Sequence, residues 1–328
     1  MKFLFGLGVL LIAGIHPQTQ AGEDPQAWLE RMGAAMSQMS YQGTFIYISD
    51  DRMETMRITH VIDEHGARER LASVSGPRRE VVRDQSGLKW ISGENEDVVA
   101  DPQVNWPMFL DQSVRGLRAN SEYYHLQLRE QKRIAERMAQ RLDIVAADEF
   151  RYGYSLWLEA GSGLLLQWQL NNTQGEAIAK LVFTELRMGS EVDESELKPH
   201  DGKERKVKAG LPASSPAAST SSTAAAPQWR ASWLPPGFRM TANRAPAQGA
   251  GQASDLPLQH QVYSDGLASV SLYVEPLAGS AGAGVGLQEL GTSHIFSLTS
   301  QDAVVTVVGD VPAITVERIA HSVSRNQP

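Results

Sequence analysis

Cysteine is absent from all 328 residues. That gap excludes disulfide staples, thiolate chemistry and the lipid-modified cysteine that anchors bacterial lipoproteins. A chain without staples must hold itself together by burying apolar surface. Long hydrophobic runs are missing too: beyond the first residues nothing approaches the about 20 consecutive apolar positions that a membrane-spanning helix needs. Positive charge is in deficit, with 30 Lys and Arg against 38 Asp and Glu and a formal net charge of −8. Nucleic acid is therefore not an expected partner, although a net-acidic chain can still carry a local basic surface for an anionic lipid or an acidic peptide.

What is present begins with an export signal. Met1 and Lys2 precede a mostly apolar run from Phe3 to Ile15, and a polar stretch ends at Thr19-Gln20-Ala21. The run is too short to span a bilayer, so residues 1–21 are predicted to be a signal peptide cut after Ala21. The remaining length suits about two domains. Residues 209–227, AGLPASSPAASTSSTAAAP, contain 18 Ala, Gly, Ser, Thr or Pro out of 19. Such a stretch buries too little apolar surface to offset its ordering entropy, so it reads as a flexible tether of about 25 Å mean span that lets the domains reorient. The expected layout is a first domain over 22–200, a linker over 201–228 and a second domain over 229–328.

The first domain opens with a helix: Asp24 as N-cap, Pro25 at the first helical position, and Trp28, Met32, Ala35, Met36 and Met39 at helical spacing. Short strands with tight turns follow from Thr44 to Ser92 and again from Tyr152 to Arg187, the rhythm of an antiparallel meander. In the second set Leu164, Leu166, Trp168 and Leu170 alternate with Gln167 and Gln169, which predicts one dry and one wet face and a sheet curved around the helix. Residues 131–147 fit a helical face through Ile134, Met138 and Leu142, or a strand through Ile144-Val145-Ala146, and periodicity does not decide between them. Pro102 to Asn120 reads as a long irregular segment containing Trp106 and Phe109. The second domain reads as a small α+β unit. It has a hairpin at Ser264-Asp265-Gly266, strands near Ala268–Val274 and Ala303–Val308, and a last helix after Pro312 with Val316, Ile319, Ala320 and Val323 on one face.

Candidate sites carry competing readings. Gly161-Ser162-Gly163 lacks the G-x-S-x-G spacing of a nucleophile turn and reads as a hairpin turn with an inert serine. His60, Asp63, Glu64 and His65 lie close in sequence, but no H-E-x-x-H spacing or thiol supports a metal, and a solvated turn is preferred. Arg78 and Arg79 are adjacent on a strand; one can face outward as a fork for a carboxylate or phosphate, or both can serve ion pairs, with Glu80 as a partner. Trp28 and Met36 read as core, yet a soft Met lining also suits a cavity that admits acyl chains, with Trp106 and Phe109 as its mouth. Trp233 and Tyr263 fit the second domain's core or an aromatic interface anchor.

Several segments occur together in order: Tyr41-Gln42-Gly43-Thr44-Phe45, Gly76-Pro77-Arg78-Arg79-Glu80-Val81, Trp233-Leu234-Pro235-Pro236-Gly237-Phe238, Val262-Tyr263-Ser264-Asp265-Gly266-Leu267 and Val307-Val308-Gly309-Asp310-Val311-Pro312. With them the chain resembles the RseB/MucB family of sigma-E regulatory proteins over nearly its whole exported length. The resemblance implies an α+β protein. Its N-terminal domain would be a LolA/LolB-like half-open antiparallel β-barrel around helices with an apolar cavity, and its small α+β C-terminal domain would contact the partner. It implies a periplasmic negative regulator without catalysis, cofactor or metal. The implied partner is the periplasmic domain of an RseA/MucA-like membrane anti-sigma factor, shielded from regulated proteolysis until lipid or lipopolysaccharide releases it. Self-association into a homo-oligomer is compatible with this reading. The tether and the Ala278–Gly286 loop look expanded relative to the family. The alternative reading is a periplasmic lipid or lipoprotein carrier of the LolA type.

Overall fold

Asp24 starts the first element as its side chain predicts. Its Oδ1 accepts the Gln26 N–H at 3.0 Å, Pro25 takes the first helical position, and helix α1 runs Pro25–Gln38. The structure is a computed structural model that describes residues 24–50, 52–64, 66–76, 78–85, 87–92, 122–198, 228–244, 259–277, 285–300 and 303–325. The predicted signal peptide, His65, the segment with Trp106 and Phe109, the tether, and most of the Ala278–Gly286 loop lie outside those residues.

One face of α1 buries Trp28, Leu29, Met32, Ala35 and Met36. Arg31 ties the helix to the rest by donating to the carbonyls of Ala160 and Gly161, each at 2.9 Å, with its guanidinium 4.2 Å from the Trp28 ring. Against this face lie ten strands: β1 Tyr41–Ser49, β2 Arg52–Asp63, β3 Gly66–Ser73, β4 Arg79–Asp84, β5 Gly87–Ser92, β6 Tyr124–Ile134, β7 Arg137–Ala146, β8 Gly153–Glu159, β9 Leu165–Asn171 and β10 Ala177–Met188. They form one antiparallel sheet in the order β5-β4-β3-β2-β1-β10-β9-β8-β7-β6. Among the described strands its two ends are not paired with each other, as in a half-open barrel. The two predicted meanders are joined where β1 pairs with β10. At that seam Gly43 is required, because a Cβ there would sit 2.5 Å from the Glu185 carbonyl oxygen.

Residues 131–147 are not helical. They form the β6–β7 hairpin, with Ala135 and Glu136 both at positive φ (45° and 65°), the backbone of a tight two-residue turn. Met138 (48% exposed) and Leu142 (buried) are both on β7, whereas the buried Ile134 lies across the turn on β6 opposite Arg137, so the stripe expected of a helix is split between two strands. The alternation along β9 is also less clean than its sequence implies. Leu164, Leu165 and Leu166 are all buried, and Gln167 is buried too, accepting from Lys132 Nζ at 3.0 Å. Lys132 and Arg141 lie over the ring of Trp157, 3.9 Å and 5.1 Å from its centroid. Long cationic stems thus roof the face predicted to be wet.

His60 corrects another expectation. Strand β2 continues to Asp63, which places His60 inside the sheet at 5% exposure, stacked on Tyr41 and with Nδ1 3.2 Å from Glu69 Oε2. It is a buried strand residue rather than part of a solvated turn. Among the described residues no group of three or more His, Asp or Glu could hold a metal, and no helix is long and apolar enough to cross a membrane.

The second domain consists of β11 Trp229–Ala231, β12 Arg239–Arg244, β13 Gln259–Ser264, β14 Ser269–Pro276, β15 Gly286–Leu290, β16 Ser293–Ser300, β17 Ala303–Gly309, α2 Ala313–His321 and β18 Val323–Arg325. Six strands form an antiparallel sheet in the order β12-β13-β14-β17-β16-β15, and β11 pairs with β18. Its core gathers Trp229, Tyr263, Leu272, Val305, Val307, Val316 and Ile319. Val323, expected on the last helix, belongs to β18 and is still buried.

Candidate functional site

The two domains meet on a buried ion pair. Asp265, in the turn between β13 and β14, accepts the backbone N–H groups of Leu267 (2.9 Å) and Ala268 (2.7 Å) with Oδ1, which fixes its orientation. Its Oδ2 then faces the first domain and accepts from Tyr124 Oη at 2.8 Å and Arg151 Nη1 at 2.5 Å. Arg151 is completely buried. Asp148 accepts from its Nε (3.0 Å) and Nη2 (2.9 Å), and the Pro236 carbonyl accepts from Nη2 at 2.7 Å. The rings of Tyr123, Tyr124 and Phe238 surround the guanidinium at 5.0–5.4 Å. Such a cage is what a buried charge requires, because each unsatisfied donor would cost the full desolvation penalty.

Local backbone chemistry sets the approach. Gly237 has φ +85°, and a Cβ there would fall 2.4 Å from the Tyr123 ring. Only glycine lets the loop before β12 close on the first domain. Around this centre, Trp233 packs edge-on against Phe150 (5.1 Å between centroids) under the Arg318 guanidinium, and Thr315 Oγ1 donates to the Phe150 carbonyl at 2.8 Å. Tyr152 Oη lies 3.2 Å from His294 Nδ1. Burial first, and then the Asp265 charge, pushes the Tyr124 hydroxyl well above its ordinary pKa. Burial likewise raises Tyr152 and Tyr154. Burial works against the Arg151 charge, but its hydrogen bond to Asp148 and the charges around it raise its pKa on balance.

In this arrangement the two domains are docked on each other through the Arg151–Asp265 pair. The composition of a tether sets its reach, and it says nothing about whether the surfaces it joins bind each other.

The residues singled out in the sequence fall in four places. Trp28 (3% exposed) and Met36 (6%) are in the first domain's core. Tyr263 is in the second domain's core, its hydroxyl donating to Gln261 Oε1 at 2.5 Å. Trp233 is at the junction. Arg78 and Arg79 are at the start of β4. Arg78 is exposed, with Nε 3.5 Å from Glu80 Oε1, while Arg79 donates to Glu54 Oε1 at 2.8 Å. Glu80 itself is buried and bonded to Arg70 Nε at 3.2 Å, so this pair sits in a ladder of ion pairs across β2–β4. Trp106 and Phe109 are outside the described residues. The structure therefore brings Trp233 alone of these to the junction. Arg151, Asp148, Tyr124 and Asp265 were not singled out, although Asp265 and Pro236 lie inside segments that carry the family likeness.

That likeness is borne out by comparison. The model of the MucB/RseB N-terminal domain matches residues 24–200, and that of the MucB/RseB C-terminal domain matches residues 223–324. The sigma factor AlgU regulatory protein MucB of Pseudomonas aeruginosa is 36% identical over 317 residues, covering 94% of this chain and 92% of that protein. The sigma-E factor regulatory protein RseB of Escherichia coli (strain K12) is 26% identical over 306 residues, covering 90% and 89%. Among solved structures, the crystal structure of MucB in complex with MucA(peri) superposes with a TM-score of 0.70 at 31% identity, covering 93% of this chain and 100% of that one. The crystal structure of MucB gives a TM-score of 0.63 over 93% and 99%. With both halves matched in order, and with the junction built from segments that the likeness runs through, the chain belongs to the MucB/RseB family of sigma-factor regulatory proteins.

Proposed function

We propose that this chain is a periplasmic, non-catalytic negative regulator that binds the periplasmic domain of an RseA/MucA-like anti-sigma factor. On this reading it shields that domain from regulated proteolysis, and lipid or lipopolysaccharide releases the hold. One observation carries the proposal: the chain aligns along its length with a relative solved in complex with MucA(peri), and its two domains are held together by the buried Arg151–Asp265 pair. The described chemistry gives catalysis no support. Ser162 donates to Glu159 Oε2 at 2.7 Å and accepts the Leu164 N–H at 3.1 Å, the bonding of a turn residue. Two ligands influence each other only if they favour different arrangements, so lipid acts by favouring a state in which the docked domains part. The carrier reading gains less, because Trp28 and Met36 are packed into the core and a lipid would have to displace α1 to reach them.

The test is titration of the purified exported chain with the periplasmic fragment of its cognate anti-sigma factor, with limited proteolysis of the fragment in parallel. Saturable binding, protection of the fragment and weakening of both by lipopolysaccharide are expected. Absence of binding at low salt sinks the proposal.

A further inference from the structure

The face of the first sheet that Lys132 and Arg141 roof holds two hydrogen-bond donors with nothing to bond. Trp157 on β8 is 4% exposed, Gln167 on β9 is 2% exposed, and the two stand opposite each other in the β8–β9 pairing. Gln167 Oε1 accepts from Lys132 Nζ at 3.0 Å, and because an ammonium only donates, this contact fixes which end of the amide is oxygen. The other end is then a buried donor. Among the described residues neither Gln167 Nε2 nor Trp157 Nε1 has a hydrogen-bond partner. Native proteins rarely leave buried donors so, because each has given up its bonds to water.

Positive charge gathers over the same spot. Lys132 Nζ lies 3.9 Å from the centroid of the Trp157 ring, and the Arg141 guanidinium lies 5.1 Å from it. Lys180 on β10 stands opposite Gln169, on the face that carries Gln167. Arg141 is answered by Asp143 at 2.8 Å and Glu130 at 3.3 Å, and Asp143 also takes Arg129 at 3.2 Å. Lys132 and Lys180 are different: among the described residues no carboxylate lies within 4.0 Å of either ammonium. Burial, and then the charges of Lys180 and Arg141, lower the Lys132 ammonium from its ordinary pKa, and Glu130 offsets this only in part.

We propose that this patch is a binding site for a small tetrahedral oxyanion: phosphate, or the phosphate group of a monoester. Water would satisfy the two orphan N–H groups but would leave two ammonium groups unanswered. A carboxylate brings two oxygens, whereas a phosphate presents three or four to donors that converge from Lys132, Lys180, Trp157 and Gln167. Lys132 is the adjustable part, since its long stem lets the ammonium rise from the ring while the anion reaches the donors beneath. The site uses none of the residues of the interdomain junction and does not depend on the functional reading above.

The test follows the indole N–H signals of the full exported chain, isotope-labelled at tryptophan, with Trp157→Phe identifying the signal of Trp157. Inorganic phosphate should move that signal saturably, and sodium chloride at equal ionic strength should leave it in place. Lys180→Gln breaks no ion pair among the described residues, so it should melt as the parent does and bind phosphate about tenfold more weakly. Gln167→Met removes one orphan donor and should weaken phosphate by a similar factor, with a thermal melt confirming that it folds. Acetate, as the carboxylate counterpart, should bind about tenfold more weakly than phosphate. Glycerol phosphate separates the two sources of the ligand: binding tighter than that of inorganic phosphate assigns an ester, weaker binding assigns the free ion, and either result upholds the site. A Trp157 signal that answers chloride as it answers phosphate, or phosphate binding unchanged in both variants, overturns the site. Acetate binding as tightly as phosphate overturns the tetrahedral ligand.

Discussion

Arg151 and Asp265 hold opposite charges where no water reaches, and this dictates how substitutions there behave. Removing one partner strands the other, so Arg151→Met or Asp265→Asn should each cost about 3–5 kcal/mol of docking free energy. Replacing both should cost much less than the sum, and urea unfolding of the four proteins in a double-mutant cycle measures the difference. Simple additivity would show that the two groups do not depend on each other. Tyr124 adds a pH dependence. Its folded pKa lies above the unfolded value of about 10, so the protonated hydroxyl contributes fully below about pH 10, and stability falls as pH rises from there through the folded value. Stability measured between about pH 9 and 11, with tyrosinate absorbance followed in parallel, should show Tyr124 ionising only as the junction opens. Gly237→Ala meets two obstacles, the positive φ and the Tyr123 ring, and should weaken docking by about 1–3 kcal/mol. Pairing it with Tyr123→Ala should remove the collision and leave the backbone strain.

Among the elements, α1 is legible in the sequence because a capping aspartate, a following proline and an apolar stripe all agree. The β6–β7 hairpin was not, because its turn is Ala135-Glu136, which lacks the Gly or Asn that announces a two-residue turn. The local pattern of Ile134, Met138 and Leu142 then imitates a helix until cross-strand pairing overrides it. That mismatch is testable: Glu136→Gly should stabilise the protein by about 1 kcal/mol, since glycine adopts the left-handed backbone at no steric cost. A loss of stability in urea unfolding would mean the turn is of another kind. The wet face expected of β9 failed for a different reason. A period of two says which side chains share a face, but not whether a lysine and an arginine from neighbouring strands will lie down over it.

At the scale of the molecule, the tandem α+β order could be read from composition and turn signals, whereas the docking could not. Arg151 and Asp265 are 114 residues apart, and neither sits in a local pattern that names the other. A covalent connection raises the effective concentration of one domain around its partner, to about the millimolar range, so an interface too weak for separate chains can stay closed within one. Calorimetry should therefore record one cooperative transition for the parent and two for Asp265→Asn. A single unchanged transition in the variant would show that the halves unfold together for other reasons. Phe238 gives this arrangement its last consequence. The same ring lines a cleft in the second domain and lies 5.4 Å from the Arg151 guanidinium. A molecule that shifts this ring on binding would also change the packing around the Arg151 guanidinium, and binding and interdomain closure would then be linked; one that leaves the ring in place would not couple to the junction through it.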